Sequence, residues 1–229
     1  MTYTIGDIHG CNSSFKALLQ KLELEKGDQL VLLGDYIDRG PDSKGVVDTI
    51  FNLREAGHEV VCLRGNHEQL LLDTLTKSRD LELWLMNGGR QTLSSFGVEH
   101  PEEIPETYLD FFVQTRLWYE TNGFLCVHGG LDFSHPDPLQ QPETLLWMRR
   151  WYADIDYAWL GKRIVLHGHT PEDMEAIQAQ HKHLDAQQYL NLDNGCVYAN
   201  LSHQRGDALG RLVAFCLESR LLTWQECAE

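Results

Sequence analysis

Leu30-Val31-Leu32-Leu33-Gly34-Asp35-Tyr36-Ile37-Asp38-Arg39-Gly40 sets an unbroken run of four apolar residues before two glycines, two aspartates and an arginine. A short unbroken apolar run bounded by glycine reads as a strand buried on both faces. Four other segments repeat the pattern. Tyr3-Thr4-Ile5 runs into Gly6-Asp7-Ile8-His9-Gly10, and Val60-Val61-Cys62-Leu63 into Arg64-Gly65-Asn66-His67-Glu68. Phe124-Leu125-Cys126-Val127 runs into His128-Gly129-Gly130, and Ile164-Val165-Leu166 into His167-Gly168-His169-Thr170. An α/β sheet presents side chains at the carboxyl ends of its strands in this way. Five such ends can bring Asp, His and Asn side chains to one spot.

Helical spacing fills the gaps in the first half. Phe15, Leu18, Leu19 and Leu22 recur on one face, with Asn12 or Ser13 as N-cap. Pro41-Asp42-Ser43 opens a second helix that carries Val46, Val47, Ile50 and Leu53 and closes at Gly57. A third runs from His67 to Leu75. This βαβαβ order predicts parallel strands with helices outside. From about Asp80 to Tyr119 the chain reads as a helical lobe rich in Trp, Phe and Leu. The tail returns to short strands at Tyr189–Leu192, Cys196–Leu201, Arg211–Leu217 and Leu221–Trp224, with turns at Gly195, Gly206 and Gly210. The expected fold class is α/β, a β-sandwich of two sheets flanked by helices (αββα layers) with a helical lobe from the middle of the chain. Residues 1–229 are expected to form one domain.

The 229 residues suffice for a full core, and 42% apolar with 23% charged is the composition of an ordinary globule. A formal net charge of −15 repels nucleic-acid backbones. It does not exclude phosphorylated substrates, because bound cations reverse the local sign. No basic and apolar leader precedes the first strand, and no stretch is long enough to span a membrane. The six cysteines lack CxxC spacing, and Cys62, Cys126 and Cys216 sit inside apolar runs as reduced thiols. A cytoplasmic monomer with no nucleic-acid or membrane partner and no structural disulfide is expected.

Divalent ions of the Mn, Fe or Zn type favour a mixed carboxylate and imidazole shell. Asp7 and His9 are two apart at a strand end, so both can reach one ion. Asp35 can bridge two ions through its two oxygens, and Asn66, His128 and His169 complete the second. Two cations about 4 Å apart activate a hydroxide and neutralise phosphate oxygens. His67 follows a ligand and is assigned as the general acid, with Asp38 placed to hydrogen-bond and orient its ring. The planar fork of Arg39 suits two phosphoryl oxygens.

These segments resemble the metal-dependent phosphoprotein phosphatases of the serine/threonine type, nearest to the bacterial and phage members, within the wider metallophosphoesterases. That family shows GDxHG, GDxxDRG, GNHE, a His-Gly segment and a later GHT. All five stand here in family order at Gly6–Gly10, Gly34–Gly40, Gly65–Glu68, His128–Gly130 and Gly168–Thr170. The resemblance implies Asp7, His9 and Asp35 on one metal, and Asp35, Asn66, His128 and His169 on the other. It implies His67 with Asp38 as acid pair, Arg39 on phosphate, and a second phosphate arginine at Arg149 in Leu146-Trp147-Met148-Arg149. The implied activity is hydrolysis of phosphoserine and phosphothreonine in proteins or peptides, by direct attack of a hydroxide held by two divalent ions. Mn²⁺ is the expected pair, with Fe or Zn as alternatives. Relatives that hydrolyse dinucleoside polyphosphates share most of these motifs, and that activity is the alternative. The sequence departs from the family at His167, and at Asp193-Asn194-Gly195, where many members have Asp-Thr-Gly.

Taken singly, an Asp or Asn after a strand is usually a turn former or cap; the joint pattern reverses that reading. Glu68 reads as a structural carboxylate, and His167 as either an outer partner of the metal site or packing. His181 and His183 read as an exposed loop, and His58, His100, His135 and His203 as surface residues. Trp84, Trp118, Trp147, Trp151 and Trp159 read mainly as packing, with one or two at the rim of the substrate groove.

Overall fold

The predicted strands β1 (Thr2–Ile5), β2 (Gln29–Leu32) and β3 (Glu59–Cys62) lie side by side and parallel. Ile5 pairs with Leu32, and Leu32 with Cys62, so the three metal-type loops leave one sheet edge at the same level. The structure is a computed structural model and describes residues 1–76, 80–199 and 208–229. A second sheet holds β4 (Trp118–Thr121), β5 (Phe124–Val127), β6 (Ile164–His167) and β7 (Tyr189–Asn191) in that order, with β5, β6 and β7 parallel. Its loops after β5 and β6 carry His128 and His169. The chain then returns to the first sheet. Here β8 (Asp193–Asn194) and β9 (Arg211–Cys216) pair antiparallel, β9 lies against β1, and β10 (Leu222–Glu226) forms the edge.

The central strands split their side chains between two cores. Leu30 and Leu32 face the helices packed on the first sheet, whereas Val31 and Leu33 face the space between the sheets. Phe124 and Cys126 meet that inter-sheet core, whereas Leu125 and Val127 face the far side of the second sheet. This period-2 division demands cover on every face. On the first sheet it comes from α1 (Asn12–Leu22), α2 (Ser43–Glu55) and α3 (Asn66–Thr76). The lobe follows as α4 (Leu81–Trp84), a kinked turn over Leu85–Gly89, α5 (Arg90–Phe96) and α6 (Glu106–Val113). On the second sheet, α7 (Pro142–Trp147), α8 (Tyr157–Leu160) and Trp151 close the outer core, while α9 (Met174–Lys182) closes one edge of the inter-sheet core. The result is the expected αββα layering. No helix among the described residues is long and apolar enough to cross a membrane.

Four local expectations are corrected. Trp118–Thr121 is a strand, not the end of the lobe. Asn122 (φ 51°) and Gly123 (φ 79°) form a two-residue turn that folds it back onto β5. Cys196–Tyr198 is a single 3₁₀ turn, because Gly195 (φ 64°) swings the chain off the sheet; Leu201, His203 and Gly206 lie outside the described residues. Neither Asn12 nor Ser13 caps α1. Its free amides at Ser13 and Ser14 donate to the distant Glu229 carboxylate (2.6 and 3.3 Å), and the Asn12 side chain donates to Asp42 (2.7 Å). His181 sits in the last turn of α9 and His183 at its cap rather than in a loop, and the His181 ring bonds the Arg220 carbonyl (2.7 Å).

Candidate metal centre

Five site residues adopt the left-handed backbone region that non-glycine residues seldom enter: His9 (φ 47°), Asp35 (51°), Asp38 (69°), Arg39 (68°) and His169 (70°). Each such residue costs on the order of 1–3 kcal/mol and persists only where its surroundings over-determine it. Glu68 supplies much of that constraint. Fully buried, its carboxylate accepts the amides of Asp35 (2.9 Å), Tyr36 (2.8 Å) and Gly65 (2.9 Å), and so ties the loop after β2 to the loop after β3. Gly65 must be glycine, because a Cβ there would lie 2.0 Å from the Asp35 carboxylate. Glu68 is therefore the structural carboxylate that the sequence suggested.

Asp35 sits at the middle of the cluster. One oxygen accepts the His67 amide (3.0 Å); the other lies 3.4 Å from His9 Nε2 and 3.5 Å from His128 Nε2. Asn66 Oδ1 lies 3.0 Å from His128 Nε2 and 2.8 Å from His169 Nδ1. Asp7 closes the group, its carboxylate accepting the His169 amide at 3.1–3.2 Å. Each of the three histidines spends one nitrogen on a backbone carbonyl. His9 Nδ1 donates to Ile37 (2.9 Å), His128 Nδ1 to Leu33 (2.9 Å) and His169 Nε2 to Trp147 (3.2 Å). That choice fixes the tautomer and aims the remaining nitrogen at the cluster, the arrangement typical of imidazole metal ligands. The structure thus brings Asp7, His9, Asp35, Asn66, His128 and His169 together. Groups from His9, Asp35 and His67, and from Asp35, His128 and His169, each converge within 4.8 Å, sharing Asp35.

His67 stands beside this cluster, its ring 4.7 Å from that of His9. Its Nδ1 bonds Asp38 Oδ2 (2.7 Å). Asp38 is fixed in turn by the Trp84 indole N–H (3.0 Å) and the Thr92 hydroxyl (2.6 Å). The lobe therefore orients the proposed acid, a role for Trp84 and Thr92 that the sequence reading did not contain. Arg39 donates to His9 Nε2 (2.6 Å), lies over the Tyr198 ring, and packs its backbone on Gly88 of the kinked turn. Arg149 donates at the His169 end of the cluster, to the His169 carbonyl (3.3 Å) and the Thr170 hydroxyl (3.4 Å). Trp147, partly exposed with its ring 6.2 Å from that of His169, is the tryptophan at the rim.

His167 turns away from the cluster. It is packed on Trp151 and accepts from the Tyr152 hydroxyl at 2.8 Å, so packing is its role. Asn194 clamps backbone: its amide donates to the Glu172 and Ala208 carbonyls, and its oxygen accepts the Arg211 amide. Asp193 carries a signal that the sequence reading passed over, a buried carboxylate near Asp7.

Too many anions share this dry space. Burial and then the Asp193 charge push Asp7 well above the usual carboxylate range, and burial lifts Asp193 to about 6. Burial also opposes ionisation of Asp35, but His128 and His67 outweigh it and hold that carboxylate well below its usual value. Burial disfavours charge on His128 too, yet Asp35 outweighs it and raises His128 to about 9. Burial keeps His9 well below the usual histidine value, with Arg39 adding to the effect, and takes His169 down to about 3. A centre that draws positive charge while keeping two imidazoles neutral fits divalent cations.

A family model described as calcineurin-like phosphoesterase matches residues 2–199, and the chain belongs to that family. Among curated proteins, a stretch of 88 residues is 46% identical to serine/threonine-protein phosphatase 1 of Salmonella typhimurium, covering 38% of each chain. A stretch of 133 residues is 30% identical to the symmetrical bis(5'-nucleosyl)-tetraphosphatase of Pseudomonas putida, covering 57% of this chain and 42% of the relative. The matched regions span less than half the length of these two relatives. The solved structure of a candidate diadenosine tetraphosphatase superposes with a TM-score of 0.69 at 21% identity, covering 100% of this chain and 94% of the other, which establishes the shared fold.

Proposed function

We propose that this phosphoesterase hydrolyses phosphoserine and phosphothreonine in proteins or peptides, acting as a cytoplasmic monomer with two divalent cations, Mn²⁺ by preference. The observation that carries the metal assignment is the trio of imidazoles, each tethered to a carbonyl and turned toward Asp35 or Asn66. Asp7, His9 and Asp35 would hold one ion; Asp35, Asn66, His128 and His169 the other. When bound, the pair supplies Lewis-acid neutralisation of phosphate oxygens and makes a water acidic enough to attack.

The chain's own residues do the rest. Arg39, held at His9, and Arg149, held at His169, can clamp the phosphoryl oxygens. His67 keeps a proton on Nδ1 against Asp38 and delivers the one on Nε2 to the departing serine or threonine oxygen. Trp84 and Thr92 hold Asp38 in a fully buried position, so the acid pair stays dry and oriented.

The protein substrate rests on the Asp38-Arg39-Gly40 and Asn66-His67-Glu68 versions of the motifs and on the 46% identity to a serine/threonine phosphatase. The similarity to a dinucleoside tetraphosphatase supports the second reading. Turnover of a phosphothreonine peptide and of diadenosine tetraphosphate, compared with Mn²⁺ present, separates the two. A higher kcat/KM on the peptide is expected, and a clear preference for the dinucleotide would overturn the protein-phosphatase reading.

A further inference from the structure

Three cysteines distant in sequence meet behind the first active-site loop. Cys11 follows His9-Gly10, Cys196 lies in the 3₁₀ turn after Gly195, and Cys227 follows β10. Their sulfurs all lie within 4.8 Å of one another. Cys11 and Cys196 are each 1% exposed, and Cys227 is half-buried at the rim. A carboxylate stands next to them: Glu229 Oε2 is 3.7 Å from Cys227 Sγ, and the same side chain is anchored by the Ser14 hydroxyl and the first amides of α1. The other three thiols are elsewhere, with Cys62 against Arg54, Cys126 in the inter-sheet core and Cys216 against Met1.

We propose that Cys11, Cys196 and Cys227 form a three-thiolate site for a Zn²⁺ ion, separate from the catalytic pair, with the Glu229 carboxylate or a water as fourth ligand. Sulfurs around a tetrahedral Zn²⁺ stand about 3.8 Å apart, given Zn–S bonds of about 2.3 Å, so a trio already within 4.8 Å of one another lies close to that spacing. A disulfide would join two sulfurs at about 2.05 Å and leave the third unused. The adjacent carboxylate favours Zn²⁺ over Cu⁺, which takes soft ligands alone. Mn²⁺ prefers oxygen ligands and is a poor match for thiolates, so it leaves the cysteine site to Zn²⁺. Binding takes all three sulfurs as thiolates and releases the protons they carry, with no change in oxidation state. The ion would staple the loop after β1, the turn after β8 and the end of β10. Cys11 Sγ is 3.7 Å from the His9 carbonyl, so the staple backs directly onto a proposed catalytic ligand.

The test uses the full chain, purified reduced, with its catalytic centre filled by excess Mn²⁺ and then titrated with Cd²⁺ or Zn²⁺. Cadmium gives an ultraviolet thiolate charge-transfer band that an oxygen and nitrogen site cannot give. One equivalent should saturate that band, and one equivalent of Zn²⁺ should be retained by elemental analysis and raise the Tm. Cys227→Ser, at the rim, and Cys196→Ser should each weaken binding by at least the roughly 10- to 100-fold that loss of an outer partner costs. Cys62→Ser should bind as the parent does. Absence of the band in the parent, or an equal band and affinity in Cys227→Ser and Cys196→Ser, would overturn the proposal. So would a disulfide among these three cysteines in protein that, once reduced, retains no Zn²⁺.

Discussion

In the proposed mechanism Asp35 and His67 divide the chemistry between them. Asp35 is within reach of nitrogens from both halves of the cluster, whereas His67 has its side chain turned to Asp38 and only its amide on Asp35. His67→Asn should therefore leave metal content unchanged while slowing turnover about 10²- to 10⁴-fold on esters with poor leaving groups. Aryl phosphates, whose leaving groups need little protonation, should slow much less. Equal slowing of alkyl and aryl esters would remove His67 from the acid role. Both residues were legible in the sequence, because the glycines and strand ends mark them. The supports of Asp38 were not: Trp84 and Thr92 come from the lobe and carry no local signal, and only packing shows that an indole N–H and a hydroxyl point at one carboxylate.

At the scale of elements, the lobe is attached to α2 by a polar link as well as an aromatic one. Asp48 on α2 accepts from Lys44 one turn earlier (2.7 Å) and from the Tyr108 hydroxyl on α6 (2.6 Å). Partial burial raises the Asp48 carboxyl, but the Lys44 and Tyr108 hydrogen bonds outweigh it and hold it below its ordinary value. A folded-state pKa below the unfolded one stabilises the protein above the unfolded pKa, about 3.9, and that stability is lost as pH falls through the lower value. Asp48→Asn should thus cost about 0.2–1 kcal/mol at pH 7, since both side chains of the pair are about 40% exposed and so screened by solvent. The difference from the parent should shrink below about pH 3.9 in urea titrations. A cost that is independent of pH would mean that the contact acts through shape alone. Helices α2 and α3 were legible from apolar spacing and turn residues. Strand β4 was hidden because Trp118 and Tyr119 also suit a helical lobe; the Asn122-Gly123 turn was the readable cue. The cap of α1 was not readable at all, since its acceptor is Glu229.

For the whole molecule, the inter-sheet core decides whether the two sheets act as one body. Phe215 on β9 is fully buried and meets Phe124 on β5 edge to face at 5.8 Å, one ring from each sheet. Phe215→Ala should lower stability by about 3–5 kcal/mol, and unfolding should remain a single transition when followed by tryptophan fluorescence and by circular dichroism. Divergent transitions would separate the sheets into independent units. The layering itself was legible, because strands such as Leu30–Leu33 are apolar at every position and so need partners on both faces. Which strand of one sheet faces which strand of the other was not, because that depends on how segments far apart in the chain stack, and apolar runs of similar composition look alike.

Under the proposed function, Asp35 would join two cations into one centre. Electron paramagnetic resonance of the chain loaded with two equivalents of Mn²⁺ reads this directly. The parent should give the spectrum of an exchange-coupled Mn²⁺ pair, and Asp35→Asn should lose the coupling together with activity. Two equivalents that give only isolated Mn²⁺ signals in the parent, or a coupled spectrum that survives in Asp35→Asn, would show that Asp35 does not bridge two ions.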